Sequence, residues 1–251
     1  MTTTSNFNTW IARSQPNSQA KMRLFCLPYA GGGAMTYRRW ADSLSPSVEV
    51  CAVELPGRGM RLREKPFTRL DALVEAIAIA IRPDLDKPLA LFGHSMGAIV
   101  SFELARLLRR QYGIDPVYLF VSGRRAPQIP HPKPPTYNLP EPAFLAELRR
   151  LNGTPAAVLE NTELLQLVLP TVRSDFEALE TYRYQPEPPL DCAIAAFGGL
   201  SDAETNIQEL EAWTEQTTAA FSLYMLPGDH FFLDSAQAQI VQCLTQHLQL
   251  V

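Results

Sequence analysis

The sequence predicts an α/β fold in which a mostly parallel, twisted sheet is flanked by helices. Short β-branched and aliphatic runs alternate with longer helical patterns, which is typical of a parallel sheet covered on both faces. The 251 residues are 46% hydrophobic and 19% charged, a balance typical of a globular domain. Twelve of the 21 prolines fall between Pro127 and Pro189, which predicts an interruption of the alternation there.

Six short runs of apolar residues have the length and composition of buried strands. They are residues 23–27, 48–53, 89–92, 117–121, 192–197 and 222–226. Because buried parallel strands must be joined by crossovers, we expect helices between most of them.

Two helices are predicted between the early strands. The first spans 70–81, with Asp71 near its start, where a carboxylate suits the helix dipole. The second spans 98–110, and Gly113 follows as a stop signal. Its apolar face consists of Val100, Leu104, Leu107 and Leu108.

The segment between strands 117–121 and 192–197 breaks the alternation. Helical patterns are predicted at 142–151, 162–169 and 170–184, with a break at Pro170. Such a long connection predicts a helical lid insertion over 125–189, within one domain covering 1–251; ordinary linking helices are the alternative.

Residues 1–20, rich in Thr, Ser, Asn and Gln, are predicted to be a flexible N-terminal segment.

Composition also excludes several classes of function. A net charge of −4 argues against a nucleic-acid partner. No apolar run has the length of a membrane span and no signal peptide is recognisable, so a cytoplasmic protein without membrane contact is predicted.

The cysteines lack metal-ligand spacing, which predicts reduced thiols, no metal and no cofactor. They are Cys26, Cys51, Cys192 and Cys243.

The strongest chemical signal is the run Gly93-His94-Ser95-Met96-Gly97. An apolar strand leads into it and an amphipathic helix follows, as in the nucleophile elbow of α/β-hydrolases. The pattern therefore predicts the α/β-hydrolase fold with Ser95 as a catalytic nucleophile; a chance glycine-rich turn is the alternative.

A serine nucleophile requires a histidine base and an acid that orients it. His230 follows the last predicted strand, where the base is expected in the chain order Ser, acid, His. Asp202 follows strand 192–197 through a flexible Gly-Gly-Leu-Ser run, and the rival position after 117–121 offers no carboxylate. The predicted triad is Ser95, Asp202 and His230.

An oxyanion hole is needed as well, because the tetrahedral intermediate carries negative charge. The backbone N–H of Met96, directly after the nucleophile, is the first predicted donor. Ala30, in the glycine-rich loop after the first strand, is the second. Read as a phosphate-binding loop, that run fails because it lacks the required spacing.

These motifs together resemble the type II thioesterases that act in trans with polyketide synthases and nonribosomal peptide synthetases. The likeness spans the chain from about Trp10 onward. It is carried by residues 24–32, 54–59, 92–98, 122–127 and 228–233. One variant of this loop in the family has glutamate after Pro-Gly-Arg, whereas Gly59 stands there in this sequence, so no catalytic part is assigned to that loop.

The resemblance implies a serine hydrolase that cleaves acyl thioesters from the phosphopantetheine arm of acyl or peptidyl carrier proteins. A carboxylesterase or lipase, a medium-chain acyl-carrier hydrolase of fatty-acid synthesis, and a non-catalytic binding module are the alternatives. A monomer is the simplest expectation. Five cations at the predicted lid are candidate carrier contacts: Arg124, Arg125, Lys133, Arg149 and Arg150.

Overall fold

The computed structural model describes residues 9–249, which form a seven-stranded sheet with helices on both faces. The strands are β1 (Ile11–Ala12), β2 (Met22–Leu27), β3 (Val48–Val53), β4 (Leu89–His94), β5 (Tyr118–Ser122), β6 (Ala193–Gly199) and β7 (Phe221–Leu226). The helices are α1 (Leu70–Ile81), α2 (Met96–Tyr112), α3 (Glu141–Leu151), α4 (Ala156–Leu159), α5 (Thr162–Glu180), α6 (Ile207–Glu211), α7 (Phe232–Ser235) and α8 (Gln237–Leu248).

The sheet order is β1-β3-β2-β4-β5-β6-β7, and every pairing except β1 with β3 is parallel. The chain reverses its direction of travel across the sheet after β3, because β4 pairs with β2 on the side opposite β3. In parallel α/β sheets, ligands bind beyond the carboxyl ends of the strands near such a reversal. The elbow that follows β4 lies at this place.

Both faces of the sheet are buried, which explains the continuous apolar runs of the strands. Phe25 and Leu27 of β2 pack into the core under α1 and α2. Leu24 and Cys26, which alternate with them, pack into the core on the α8 side. The α/β architecture predicted from the alternation is therefore confirmed.

The N-terminal segment differs from the expectation of a flexible stretch over 1–20. Ile11 pairs with Val53 and Ala12 with Ala52, which adds a short antiparallel edge strand to the sheet. The strand escaped prediction because two residues are too few to show a period. Residues 1–8 lie outside the described part of the chain.

The segment 125–189 leaves the sheet after β5 and carries α3, α4 and α5. Its predicted break at Pro170 is wrong, since α5 runs continuously through that proline. A proline inside a helix costs about 3 kcal/mol. Contacts of the next turns offset this cost: Thr171 donates a hydrogen bond to the Gly57 carbonyl at 2.8 Å, and Asp175 forms a buried ion pair.

Candidate active site

Ser95 lies in a strained turn between β4 and α2. Its φ of 54° and ψ of −112° are rare for a residue with a side chain, and its N–H donates to the Ser122 carbonyl at 2.7 Å. A side chain at Gly93 would put its Cβ 2.0 Å from the Gly97 carbonyl oxygen, and one at Gly97 would lie 2.1 Å from the Leu27 oxygen. The two glycines are therefore required by this close packing.

Ser95, His230 and Asp202 form a hydrogen-bonded row across three loops at the carboxyl ends of the strands. His230 Nε2 lies 3.1 Å from Ser95 Oγ, and His230 Nδ1 lies 2.9 Å from Asp202 Oδ2. The Asp202 side chain is fully buried, while that of His230 keeps 12% of its surface exposed. Asp202 Oδ1 accepts the Glu204 N–H at 2.8 Å, which fixes the orientation of the carboxylate.

His94, also in the elbow, lies behind this row. Its Nδ1 is 2.9 Å from Ser122 Oγ, and its ring centroid is 5.4 Å from that of His230. Burial lowers the pKa of His94 well below its ordinary value, and the nearby His230 lowers it further. His94 is therefore a neutral packing partner of His230.

The loop after β2 approaches the serine from the other side. The Gly31 N–H donates to Asp175 Oδ2 at 2.7 Å, and the Gly32 N–H donates to the Tyr29 carbonyl at 2.9 Å. Within residues 9–249, the N–H of Ala30 has no acceptor, and Ala30 lines the same cavity as Ser95. The Met96 N–H, at the first position of α2, likewise has no acceptor there.

A buried ion pair holds that loop in place, and sequence reasoning did not find it. Arg58 binds Asp175 of α5 through two hydrogen bonds of 2.7 and 2.8 Å, and it also donates to the Gly32 carbonyl at 2.8 Å. Asp175 thus joins α5, Arg58 and the Gly31 N–H at one carboxylate. The Pro-Gly-Arg run was the available signal, but its partner lies 117 residues further along the chain.

A small cavity of about 80 Å³ lies between the serine and the segment 125–189. Phe176 and Leu179 of α5 form part of the apolar wall of this cavity, and Arg124 forms part of its polar wall. Burial, together with the charge of Arg125, lowers the pKa of Arg124 to about 10. Other apolar side chains of the segment do not face this cavity: Leu164 and Leu167 are exposed, and Phe144 packs inside the segment itself.

Two absences apply to the described residues. Between residues 9 and 249, no group of three or more His, Cys, Asp or Glu side chains could hold a metal ion. None of the helices in this range combines the length and the apolarity needed to cross a bilayer. The four cysteines are free, and Cys243 is the half-buried one.

Comparisons with known proteins agree on one family. The family model described as Thioesterase domain matches residues 22–248. The gramicidin S biosynthesis protein GrsT of Aneurinibacillus migulanus is 47% identical over 251 residues, covering 100% of this chain and 98% of that protein. The thioesterase PikA5 of Streptomyces venezuelae is 41% identical over 240 residues, covering 95% of this chain and 85% of that protein.

A comparison with solved structures also points to the thioesterases. The type II thioesterase BorB from the borrelidin biosynthetic cluster superposes with a TM-score of 0.87 at 39% identity. The match covers 95% of this chain and 97% of that one.

Proposed function

We propose, proceeding from the fact that this chain belongs to the thioesterase family, that Ser95, His230 and Asp202 are its catalytic triad. The observation that carries the proposal is the row of hydrogen bonds at 3.1 and 2.9 Å. Nucleophile, base and orienting acid lie within the contact distances that this chemistry requires.

In the first half of the reaction, Ser95 Oγ attacks the thioester carbonyl carbon while His230 Nε2 accepts the hydroxyl proton. Asp202 accepts a hydrogen bond from His230 Nδ1, which holds the tautomer whose Nε2 is free to act as a base. The oxyanion is stabilised by the N–H groups of Met96 and Ala30. Donors fixed in the backbone need little reorganisation when the charge develops.

In the second half, the tetrahedral intermediate collapses, the carbon–sulfur bond breaks and the thiol leaves as a thiolate or with the proton from His230. A thiol pKa near ~8.5 makes this departure easy at neutral pH. After His230 has passed its first proton to the departing thiolate, water attacks the acyl-Ser95 carbonyl while His230 takes a proton from the water. The second tetrahedral intermediate collapses as His230 returns that proton to Ser95 Oγ, which breaks the ester bond, releases the free acid and restores the enzyme.

The substrate that we propose is an acyl group on the phosphopantetheine arm of a carrier protein in a natural-product synthase. GrsT is named for gramicidin S biosynthesis and BorB is described as a type II thioesterase, and both match over nearly their whole lengths. The reaction would remove stalled or mis-primed acyl groups and return the arm to its free thiol. We further propose a cytoplasmic monomer in which residues 125–189 serve as a lid.

The test is hydrolysis of an acetyl carrier-protein thioester compared with a small oxygen ester such as p-nitrophenyl acetate. We expect the wild type to have the higher kcat/KM on the carrier thioester. Ser95→Ala should lose at least about 10⁴-fold of kcat, because no nucleophile remains to form the acyl enzyme.

Ser101→Ala is a matched control, since Ser101 is a buried serine of α2 outside the triad. It should keep its activity, and both variants should keep the wild-type circular dichroism spectrum. Activity of Ser95→Ala at the wild-type level would refute the mechanism. A higher kcat/KM on the oxygen ester would instead favour a carboxylesterase.

A further inference from the structure

We propose that the carrier protein docks, through an acidic face of its own, on an exposed surface beside the loop after β2 that contains Ala30. This inference rests on the proposed function, because it locates the partner of that same site. We call this region the methionine surface. It consists of Met35, Arg38, Arg39, Met60, Arg63 and Lys65.

The methionine surface comes from two separate turns that meet at one buried side chain. Both turns pack around the buried carboxylate of Glu54. The Ala34 N–H donates to Glu54 Oε2 at 3.1 Å, and a Cβ at Gly59 would lie 2.8 Å from Glu54 Oε1. The two groups of residues therefore begin next to the same carboxylate, directly after Ala34 and Gly59.

Two large apolar side chains lie in this surface. Met60 is 95% exposed and Met35 is 64% exposed, which is unusual for methionine. Flexible, polarisable methionine side chains suit surfaces that bind several related partners. An enzyme that clears many carrier domains of one synthase needs such tolerance.

The charge of the surface selects an acidic partner. Arg38, Arg39, Arg63 and Lys65 are exposed, and none forms an ion pair with another described residue. Within residues 31–65, Glu49 and Glu54 are buried and Glu64 forms an ion pair with Arg61. Asp42 is then the one carboxylate of this range that is neither buried nor in an ion pair. On a chain with net charge −4, this local excess of cations favours an acidic docking face.

Most of the cations predicted at the lid are less available for binding a carrier protein, because they are already in contact with carboxylates of this chain. Lys133 and Arg150 both bind Glu204, at 3.1 and 2.5 Å, and Arg125 lies 3.3 Å from a Glu209 oxygen. Burial raises the pKa of Glu204, but the hydrogen bonds from Arg150 and Lys133 outweigh it and bring the pKa to about 2. Arg149 remains exposed, and it therefore represents the alternative docking site.

The position also suits delivery of the arm. Met35 is five positions beyond Ala30, which lines the serine's cavity, so their Cα atoms are at most about 18 Å apart. An extended phosphopantetheine arm spans a comparable length. A carrier seated on the methionine surface can therefore place its thioester at Ser95.

The experiment compares two substrates with the same acyl group. One is an acetyl thioester on a purified acidic carrier protein, and the other is acetyl-N-acetylcysteamine. In Arg38→Glu/Arg63→Glu, we expect the ratio of kcat/KM for the carrier substrate over the small substrate to fall about 10-fold, since attraction becomes repulsion at two rim positions. The same ratio should become less sensitive to salt.

Lys21→Glu is the matched control, because this exposed lysine lies at the amino end of β2, whereas the methionine surface follows the carboxyl ends of β2 and β3. It should leave the ratio unchanged. An unchanged ratio in the double variant, or a ratio lowered by Arg149→Glu alone, would overturn the assignment. Failure of the proposed function is distinguishable, because the wild type itself would then show no preference for the carrier substrate.

Discussion

At Ser95, the backbone conformation and the side-chain chemistry are two results of one packing arrangement. The glycines at 93 and 97 let α2 approach β4 and β2, and the turn that joins them then directs the serine hydroxyl to His230. These positions could be predicted because the elbow is a local motif. Asp175 could not, since its role arises only when α5 packs on two distant loops.

His94 predicts how stability depends on pH. Burial depresses its pKa in the folded protein, while in the unfolded chain the pKa returns to about 6.5. Below that pH the unfolded chain therefore binds a proton that the folded chain does not. We expect the free energy of unfolding to fall as pH drops from 6.5, by up to about 1.4 kcal/mol per pH unit from this residue.

Urea unfolding of the wild type and His94→Asn at pH 7.5, 6.0 and 5.0 measures this effect. The variant should lose stability less steeply with falling pH, whatever its stability at pH 7.5. His131→Asn is the comparison: burial lowers the pKa of this exposed histidine as well, but less than that of His94, so its slope should stay closer to that of the wild type. Parallel slopes for the wild type and His94→Asn would contradict the assignment.

Among the elements, α5 shows where sequence patterns reach their limit. Helix α1 occupies 70–81 as predicted, because its period and its first turn are local signals. The break predicted at Pro170 failed because proline acts through a local cost, whereas α5 is held by tertiary contacts on the far side of that residue. Sequence alone shows the cost but not the contacts that offset it.

The Arg58–Asp175 pair predicts a strong stability effect. Arg58→Ala leaves the Asp175 carboxylate buried without its partner, so we expect the free energy of unfolding to fall by about 3–5 kcal/mol. The double variant Arg58→Ala/Asp175→Ala should lose less than the sum of the single changes. Urea denaturation of the three variants measures the coupling.

Arg69→Ala serves as the comparison, because Arg69 and its partner Asp71 are both largely exposed. That change should leave the free energy of unfolding nearly unchanged, because solvent screens an exposed pair. Equal losses for Arg58→Ala and Arg69→Ala would contradict the importance of burial.

Across the whole molecule, the sheet and the proposed lid differ in how they are held. The order of strands follows from apolar runs and crossovers, which the sequence displays, apart from the two-residue edge strand β1. The way in which α3–α5 sit on the sheet depends on contacts between distant residues. Their own core cluster contains Phe144, Leu148, Leu169 and Val172, far fewer buried side chains than either face of the sheet.

Native-state hydrogen exchange should reflect this division. We expect the amides of α3, α4 and residues 162–169 of α5 to exchange faster than those of β4 and β5, since few buried contacts hold them. Residues 171–180 should exchange more slowly than 162–169, because Thr171 and Asp175 anchor them. Uniform protection along α5 would contradict an anchored half, and lid protection equal to that of the strands would contradict a mobile lid.

The single carboxylate of Asp175 also sets a rule for recombining these enzymes. Because it joins the proposed lid to the Gly31 N–H and to Arg58, the second half of α5 belongs structurally with the loops of the proposed active site. A lid transplanted from a relative should therefore end before Pro170, or be transferred together with its own counterparts of Arg58 and Gly31. Pro170 is therefore the boundary between the part of the proposed lid that can be exchanged and the half of α5 that must stay with the active-site loops.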